Sequence, residues 1–177
     1  MDKDEIIRAS KNIFNQFTDT CLQIPDEIFF LQPTEKWSIA QNVDHLIRAV
    51  KITRLAYSLP KFFIRVSFGK PNRSSKTYEE LVAKYKSKLE QGGKAGGRYI
   101  PNITTAKKFP FIQKWQRENE KYLESLELRW SDRQLDQYMA PHPLLGKLTL
   151  RKLCYFTIYH TGHHLDIIKV RLTEQLN

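Results

Sequence analysis

The 177-residue sequence is 41% hydrophobic, which is enough to bury a core and excludes a wholly disordered chain. Its longest apolar runs, at 28–31 and 109–112, are too short to span a bilayer, and its acidic N-terminus is unlike a signal peptide, so we expect a cytoplasmic protein with no membrane partner. The net charge of +10 is concentrated in residues 61–108, where 12 lysines and arginines face 3 acidic residues.

Four long amphipathic helices are predicted, because apolar residues recur at steps of three and four along four stretches. Ser38 and Gln41 have the form of a capping box before the second helix, and Pro110 suits the first turn of the third. The predicted helices cover residues 2–22, 38–58, 111–128 and 149–172. Since no stretch alternates convincingly as a strand, the pattern predicts an all-α four-helix bundle.

The basic segment, residues 61–108, lies between the second and third long helices. It begins with an apolar stretch at 62–68 and a loop at 69–75, and Thr77 with Glu80 predicts a capped short helix over 78–91. The glycine-rich run 92–97 then predicts an irregular crossing to Pro110. We interpret the segment as an additional short helix and loops inserted within one domain that spans residues 1–177.

His160 and His164 lie four residues apart on the last predicted helix, so their rings share one helical face, with Cβ atoms roughly 5–6 Å apart. Apolar residues accompany them, so this face is predicted to look into the protein. A buried neutral imidazole needs either a metal or a hydrogen-bonded partner, and one such pair does not choose between the two. His45 adds a third imidazole on the inward face of the second helix, and a bundle can bring these faces together.

Three converging imidazoles would suit a divalent transition metal such as zinc, nickel or iron, because imidazole is a borderline-soft nitrogen ligand. A site with only three protein ligands keeps a position open for water or substrate, which is typical of catalytic metals. His163 is rotated about 100° from His164 around the helix and is expected to point toward a subunit or solvent. His142 lies between two prolines, and either lines the pocket or serves only as a turn residue.

Four motifs occur in a characteristic order: WSI at 37–39, DHL at 44–46, HPLLGKLT at 142–149 and HxxxH at 160–164. This arrangement resembles the DinB/YfiT-like family of metal-dependent enzymes. The resemblance implies an up-up-down-down four-helix bundle, a homodimer, and a divalent metal site with His45, His160 and His164 as ligands. Relatives include transferases that use the metal to bind a low-molecular-weight thiol, so the resemblance indicates a metal site more firmly than a reaction, and catalytic residues stay unassigned.

Two main functions are compatible with these features. The first is a metal-dependent transferase or hydrolase, in which the three-histidine site activates water or a low-molecular-weight thiol for attack on a small electrophilic substrate. The second is nucleic-acid binding through the basic segment, which also carries aromatic residues, although it contains no recognised nucleic-acid motif. A metal held only for stability is a third possibility, and the basic segment could equally guide an anionic substrate to the site.

Overall fold

The computed structural model of the protein describes residues 1–33, 36–72, 74–102 and 107–175. The helices are α1 (Lys3–Gln23), α2 (Asp26–Phe30), α3 (Ile39–Ser58), α4 (Lys61–Phe68), α5 (Tyr78–Glu90), α6 (Lys108–Arg129), α7 (Asp132–Gln137) and α8 (Leu150–Gln175). Two short strands, β1 (Met139–His142) and β2 (Gly146–Thr149), form an antiparallel hairpin, and a 3₁₀ turn spans Gly97–Tyr99. The predicted all-α class is confirmed. Within the described ranges no helix combines the length and the apolar character needed to cross a bilayer.

Parts of two predicted segments lie outside the described residues. They are Arg73 in the predicted loop at 69–75 and residues 103–106 in the predicted crossing to Pro110. The rest of both segments is irregular or turn-like, as expected, except that α6 begins at Lys108, inside the predicted crossing.

Local side chains explain where several helices begin. The predicted capping box before α3 is present: the Ser38 hydroxyl accepts a hydrogen bond from the Gln41 N–H at 3.1 Å, and the Gln41 side chain accepts from the Ser38 N–H at 2.8 Å. Thr77 and Glu80 form the corresponding box at α5. Each such cap satisfies backbone donors that the helix leaves free and stabilises the helix by roughly 1 kcal/mol. The cap at Ser38 also sets the phase of the helix that carries His45.

Four long helices, α1, α3, α6 and α8, enclose the core. α1 and α3 lie at opposite corners, because each packs against both α6 and α8. Large aromatic side chains fill the centre and are almost fully buried: Phe17, Tyr57, Trp115, Tyr122 and Trp130. The Trp115 indole N–H donates to the Thr18 hydroxyl at 3.1 Å, and that of Trp130 donates to the Tyr57 carbonyl at 2.9 Å. Apolar burial with satisfied indole donors therefore ties the four helices together.

In chain order the long helices run up, down, down and up, which differs from the up-up-down-down order that the resemblance implied. Met1 lies against Tyr155 and Ile13 against Gly162, so α1 and α8 are parallel. Asn42 lies against His164 and Tyr57 against Leu150, so α3 is antiparallel to α8. Arg54 lies against Glu118 and Tyr57 against Trp130, so α3 and α6 are parallel.

The basic segment is the reason for these directions. α5 runs along α8 in the same direction, since Tyr78 packs edge-on against Tyr155 and Tyr85 packs edge-on against Tyr159. It therefore returns the chain to the end of the bundle where α3 began, and α6 starts there. The segment also contains a second helix, α4, where the sequence predicted only an apolar stretch. The predicted insertion is thus a crossover connection between two parallel helices.

The hairpin, α2 and α7 were not predicted. β1 and β2 pair over four residues each, with His142 opposite Gly146, and Gly146 has a positive φ of 76° at the end of the turn. Segments this short carry too few residues to show a period of two or of 3.6. The hairpin matters for the site because it holds residues 141–145 beside the first half of α8.

Candidate metal centre

The structure brings His45 from α3 together with His160 and His164 from α8. All three side chains are buried, with 5–6% of their surface exposed. The Nε2 atom of His160 lies 3.1 Å from Nε2 of His45 and 3.2 Å from Nε2 of His164. Two helices that were predicted separately therefore place three ring nitrogens around one point.

Hydrogen bonds on the outer side of two rings determine which nitrogen carries the proton. Nδ1 of His45 lies 2.7 Å from the Tyr99 carbonyl oxygen, and Nδ1 of His164 lies 2.7 Å from Oδ1 of Asn42. Both oxygens only accept, so both Nδ1 atoms donate. The Asn42 amide is itself oriented, because its Nδ2 donates to the Ser38 carbonyl at 2.8 Å. We assign the tautomer with a free lone pair on Nε2 to both neutral rings.

Converging lone pairs are the donor arrangement that a divalent cation requires. Two nitrogens bound to one metal at about 2.0–2.1 Å each, and separated by the angles of tetrahedral or octahedral geometry, lie roughly 3 Å apart. The observed separations of 3.1 and 3.2 Å agree with this. Within the described ranges the group contains three histidines and no carboxylate or thiolate. The residues present therefore fit a transition metal with at least one open position.

Burial keeps the three imidazoles neutral. Desolvation lowers the pKa of His45, opposed by the hydrogen bond to the Tyr99 carbonyl and by the nearby Asp44 carboxylate. Desolvation also lowers the pKa of His160 and of His164 well below the usual range, and the neighbouring histidines add to the effect. Neutral imidazole is the form that binds metal, so protons compete weakly for these nitrogens.

A cavity of about 190 Å³ lies against the three histidines. Its walls include the aromatic side chains of Trp37, Tyr85, Tyr99 and Phe156, and Lys94 lies at an exposed position of the lining. Trp37 stacks over the His164 ring with a 7° angle between planes, and Phe156 stacks over His160 at 22°. These rings restrict the movement of the imidazoles and give the cavity a predominantly apolar surface.

His142 and His163 also line this cavity, outside the three-histidine group. His163 was expected to point away, toward a subunit or solvent, but it is half-buried and stacks on Tyr159. His142 serves both roles that the sequence left open: it lines the cavity, and its Nδ1 accepts the backbone N–H groups of Leu144 and Leu145 at 3.2 Å each. Burial, with a smaller contribution from Lys84, lowers the pKa of His142 to about 4.

Three other polar residues near the histidines in sequence are not partners of the rings. Gln41 completes the α3 cap, Asp166 is exposed, and the Asp44 carboxylate accepts from Arg48 at 2.6 Å and from the Asn102 N–H at 3.0 Å. Asp44 thereby holds the loop that contributes the Tyr99 carbonyl. Asn42 lies three residues before His45 and therefore on the same face of the helix, and that spacing was the available signal. A backbone carbonyl such as that of Tyr99 leaves no signal in a sequence.

The family model of the DinB superfamily matches residues 12–168. Among solved structures, the fold is similar to that of the colibactin self-resistance protein ClbS, crystallised in complex with a dsDNA, with a TM-score of 0.53 and 16% sequence identity over 95% of this chain and 96% of that one. At this identity the likeness concerns the fold alone. No curated protein matches the sequence.

The low pKa of His142 predicts a pH-dependent loss of stability. In the unfolded chain His142 has the ordinary histidine pKa of 6.5 and binds a proton as the pH falls below that value. In the folded protein it binds a proton only near pH 4. His142 therefore lowers the free energy of unfolding as the pH falls from 6.5 to 4, by about 3 kcal/mol in total. A His142→Asn variant keeps a side-chain acceptor for the turn but does not titrate.

Urea unfolding of metal-free protein at pH 7 and pH 4.5 measures this effect. The wild type is expected to lose more stability between the two values than the variant does. Equal losses would show that His142 is not held neutral in the folded state.

Proposed function

The chain belongs to the DinB superfamily, and on that premise we propose that it is a divalent-metal-dependent enzyme in which His45, His160 and His164 bind zinc, nickel or iron. One observation carries the proposal: three buried imidazoles converge through Nε2, while hydrogen bonds at Nδ1 hold two of them in the metal-binding tautomer. We further propose that residues 1–177 act as one domain. The resemblance also implies a homodimer, which stays a prediction that light scattering can measure.

The proposed reaction class is transfer or hydrolysis on a small electrophilic substrate. A divalent metal in such a site supplies Lewis acidity, which lowers the pKa of bound water or of a low-molecular-weight thiol and polarises a substrate oxygen. The aromatic side chains Trp37, Tyr85 and Phe156 would bind an apolar substrate and exclude bulk water from the cavity.

His142 is suited to a further role in this reaction. Its Nδ1 accepts two backbone hydrogen bonds, so the proton of the neutral ring lies on Nε2. Because its low pKa keeps the ring uncharged at neutral pH, this N–H would donate to an oxygen on the substrate without adding positive charge near the metal.

Metal content tests the three-histidine site. Protein purified without a chelator or polyhistidine tag is expected to contain about one transition metal per chain, and the His160→Ala, His164→Ala double variant is expected to contain none, because a single imidazole holds a metal too weakly. His163→Ala is the matched control, since its ring lies beside the group without belonging to it. Elemental analysis measures all three proteins.

Absence of metal from the wild type after incubation with zinc, nickel and iron salts would refute the site. If metal is present, turnover of electrophilic substrates is measured with and without added thiol. Loss of turnover on chelation, with recovery on adding metal, is the expected result. A change in melting temperature alone would instead indicate a metal that serves stability.

Asn42 provides a second test, because it positions His164 without contacting the proposed metal. Asn42→Leu removes the acceptor for the His164 Nδ1–H and is expected to weaken metal affinity by about 10- to 100-fold. Asn42→Asp keeps an acceptor and is expected to retain most of the affinity. Competition with a chromogenic chelator gives these affinities. Equal affinity in all three proteins would mean that the hydrogen bond does not orient the ligand.

Nucleic-acid binding is a second candidate function. It is favoured by the +9 charge of the basic segment and by the shared fold with ClbS, which was crystallised with dsDNA. If the chain binds duplex DNA through its lysines, its affinity is expected to fall by roughly 10²- to 10³-fold between 50 and 200 mM salt, because binding releases counterions. Fluorescence anisotropy of a labelled duplex measures this slope. Undetectable binding at 50 mM salt would exclude the function.

A further inference from the structure

A second cleft, of about 610 Å³, is lined by five lysines: Lys70, Lys76, Lys84, Lys147 and Lys152. None of the described residues that line it is acidic. We propose that this lysine cleft binds the phosphate group of an organic ligand. The proposal concerns a different cavity from the metal centre and does not depend on the proposed enzyme activity.

The tertiary structure assembles the lysine cleft from four parts of the chain. Lys70 and Lys76 belong to the connection after α4, Lys84 to α5, Lys147 to β2 and Lys152 to the first turn of α8. Only the first three come from the basic segment. The other two lie beyond it in sequence, so the local charge of the segment does not by itself define the cleft.

Backbone carbonyls hold two of the ammonium groups in place. Lys84 Nζ donates to the Leu145 carbonyl at 3.0 Å, and Lys147 Nζ donates to the Phe68 carbonyl at 3.1 Å. A carbonyl orients an ammonium group but does not neutralise it, and each ammonium has three N–H donors. Both lysines therefore place their ammonium groups at the wall of the cleft.

The start of α8 adds to the positive potential. Lys152 lies in the first turn of this helix and is 7% exposed. The helix dipole places partial positive charge at this same end. The Thr149 hydroxyl caps the end by accepting the Lys152 N–H at 3.3 Å and is hydrogen-bonded to Ser75 at 2.8 Å. Buried cationic and helix-end charges together favour an anion.

Neighbouring carboxylates are committed to other partners. Glu80 accepts the Thr77 N–H in the α5 cap, at 2.8 Å. Both carboxylate oxygens of Asp136 accept from Arg151, at 2.9 Å each. The Arg151 guanidinium offsets the charge of Asp136, and Glu80 keeps its negative charge but does not line the cleft.

The other side chains that line the cleft indicate which chemical group would be attached to the phosphate of the ligand. The apolar side chains are Phe68, Leu81, Met139, Leu145 and Leu148. Lysines pair with phosphate as separate point charges, so five ammonium groups match a phosphate monoester or polyphosphate. The apolar surface beside them matches an apolar or aromatic body attached to that phosphate. Such a group occurs in small phosphorylated molecules and, as a diester, in nucleic acid.

Titration calorimetry with pyrophosphate, with AMP and with a short DNA duplex tests the proposal. Wild-type protein is expected to bind pyrophosphate saturably at low salt, and the Lys84→Gln, Lys147→Gln variant to bind about tenfold or more weakly, because two charge-assisted contacts are removed. The Lys86→Gln, Lys88→Gln variant is the matched control, because it also removes two positive charges and neither lysine lines the cleft. Circular dichroism checks that each variant is folded.

The outcomes separate the ligand sources and the two sites. If the Lys84→Gln, Lys147→Gln variant loses binding of pyrophosphate and AMP but keeps binding of the duplex, the ligand is a small phosphorylated molecule. If it loses duplex binding in parallel, the ligand is the nucleic-acid backbone. Both results support the phosphate site. Retention of pyrophosphate binding by the His160→Ala, His164→Ala variant would show that this binding is independent of the metal centre. No saturable pyrophosphate binding, or equal weakening in the cleft and control variants, would overturn the proposal.

Discussion

The convergence of three imidazole Nε2 atoms in a buried space is the constraint on which the site depends. The Nε2 atoms of His45 and His164 are held as acceptors at 3.1 and 3.2 Å from Nε2 of His160, so either a cation or the single proton of neutral His160 lies between these nitrogens. Burial disfavours the cationic imidazolium form, as the lowered pKa values of His160 and His164 indicate, so the rings stay neutral and able to bind a metal. The hydrogen bonds to Asn42 and to the Tyr99 carbonyl prevent two of the rings from turning their N–H groups inward. Local backbone structure thus prepares a donor set that suits a metal.

α5 connects this centre to the rest of the architecture. One part of its inner surface, with Tyr85 and Leu89, faces the cavity beside the histidines, and another, with Leu81 and Lys84, faces the lysine cleft. The hairpin is shared in the same way, with His142 and Leu144 on the cavity and Lys147 on the cleft. The crossover that sets the helix directions therefore also forms a wall of both concave sites.

The positive charge has a structural interpretation that composition alone did not provide. Among the lysines of α5, Lys84 lines the cleft, while Lys86 and Lys88 do not. Charge collected in a concave, partly apolar site acts on ligands differently from charge spread over a convex surface, because low-dielectric walls strengthen the local potential. The same net charge can thus serve a small phosphorylated ligand or a nucleic-acid backbone.

The sequence by itself determined the four long helices, the caps at Ser38 and Thr77, and the inward faces that carry His45, His160 and His164. These features follow from interactions within a few residues along the chain, so periodicity and cap residues report them directly. Only the tertiary structure decided the up-down-down-up order, the hairpin, the Asn42 and Tyr99 hydrogen bonds, and the meeting of Lys147 and Lys152 with Lys84. Each of these depends on contacts between segments distant in sequence, which are selected by packing and by the path of the crossover rather than by local pattern.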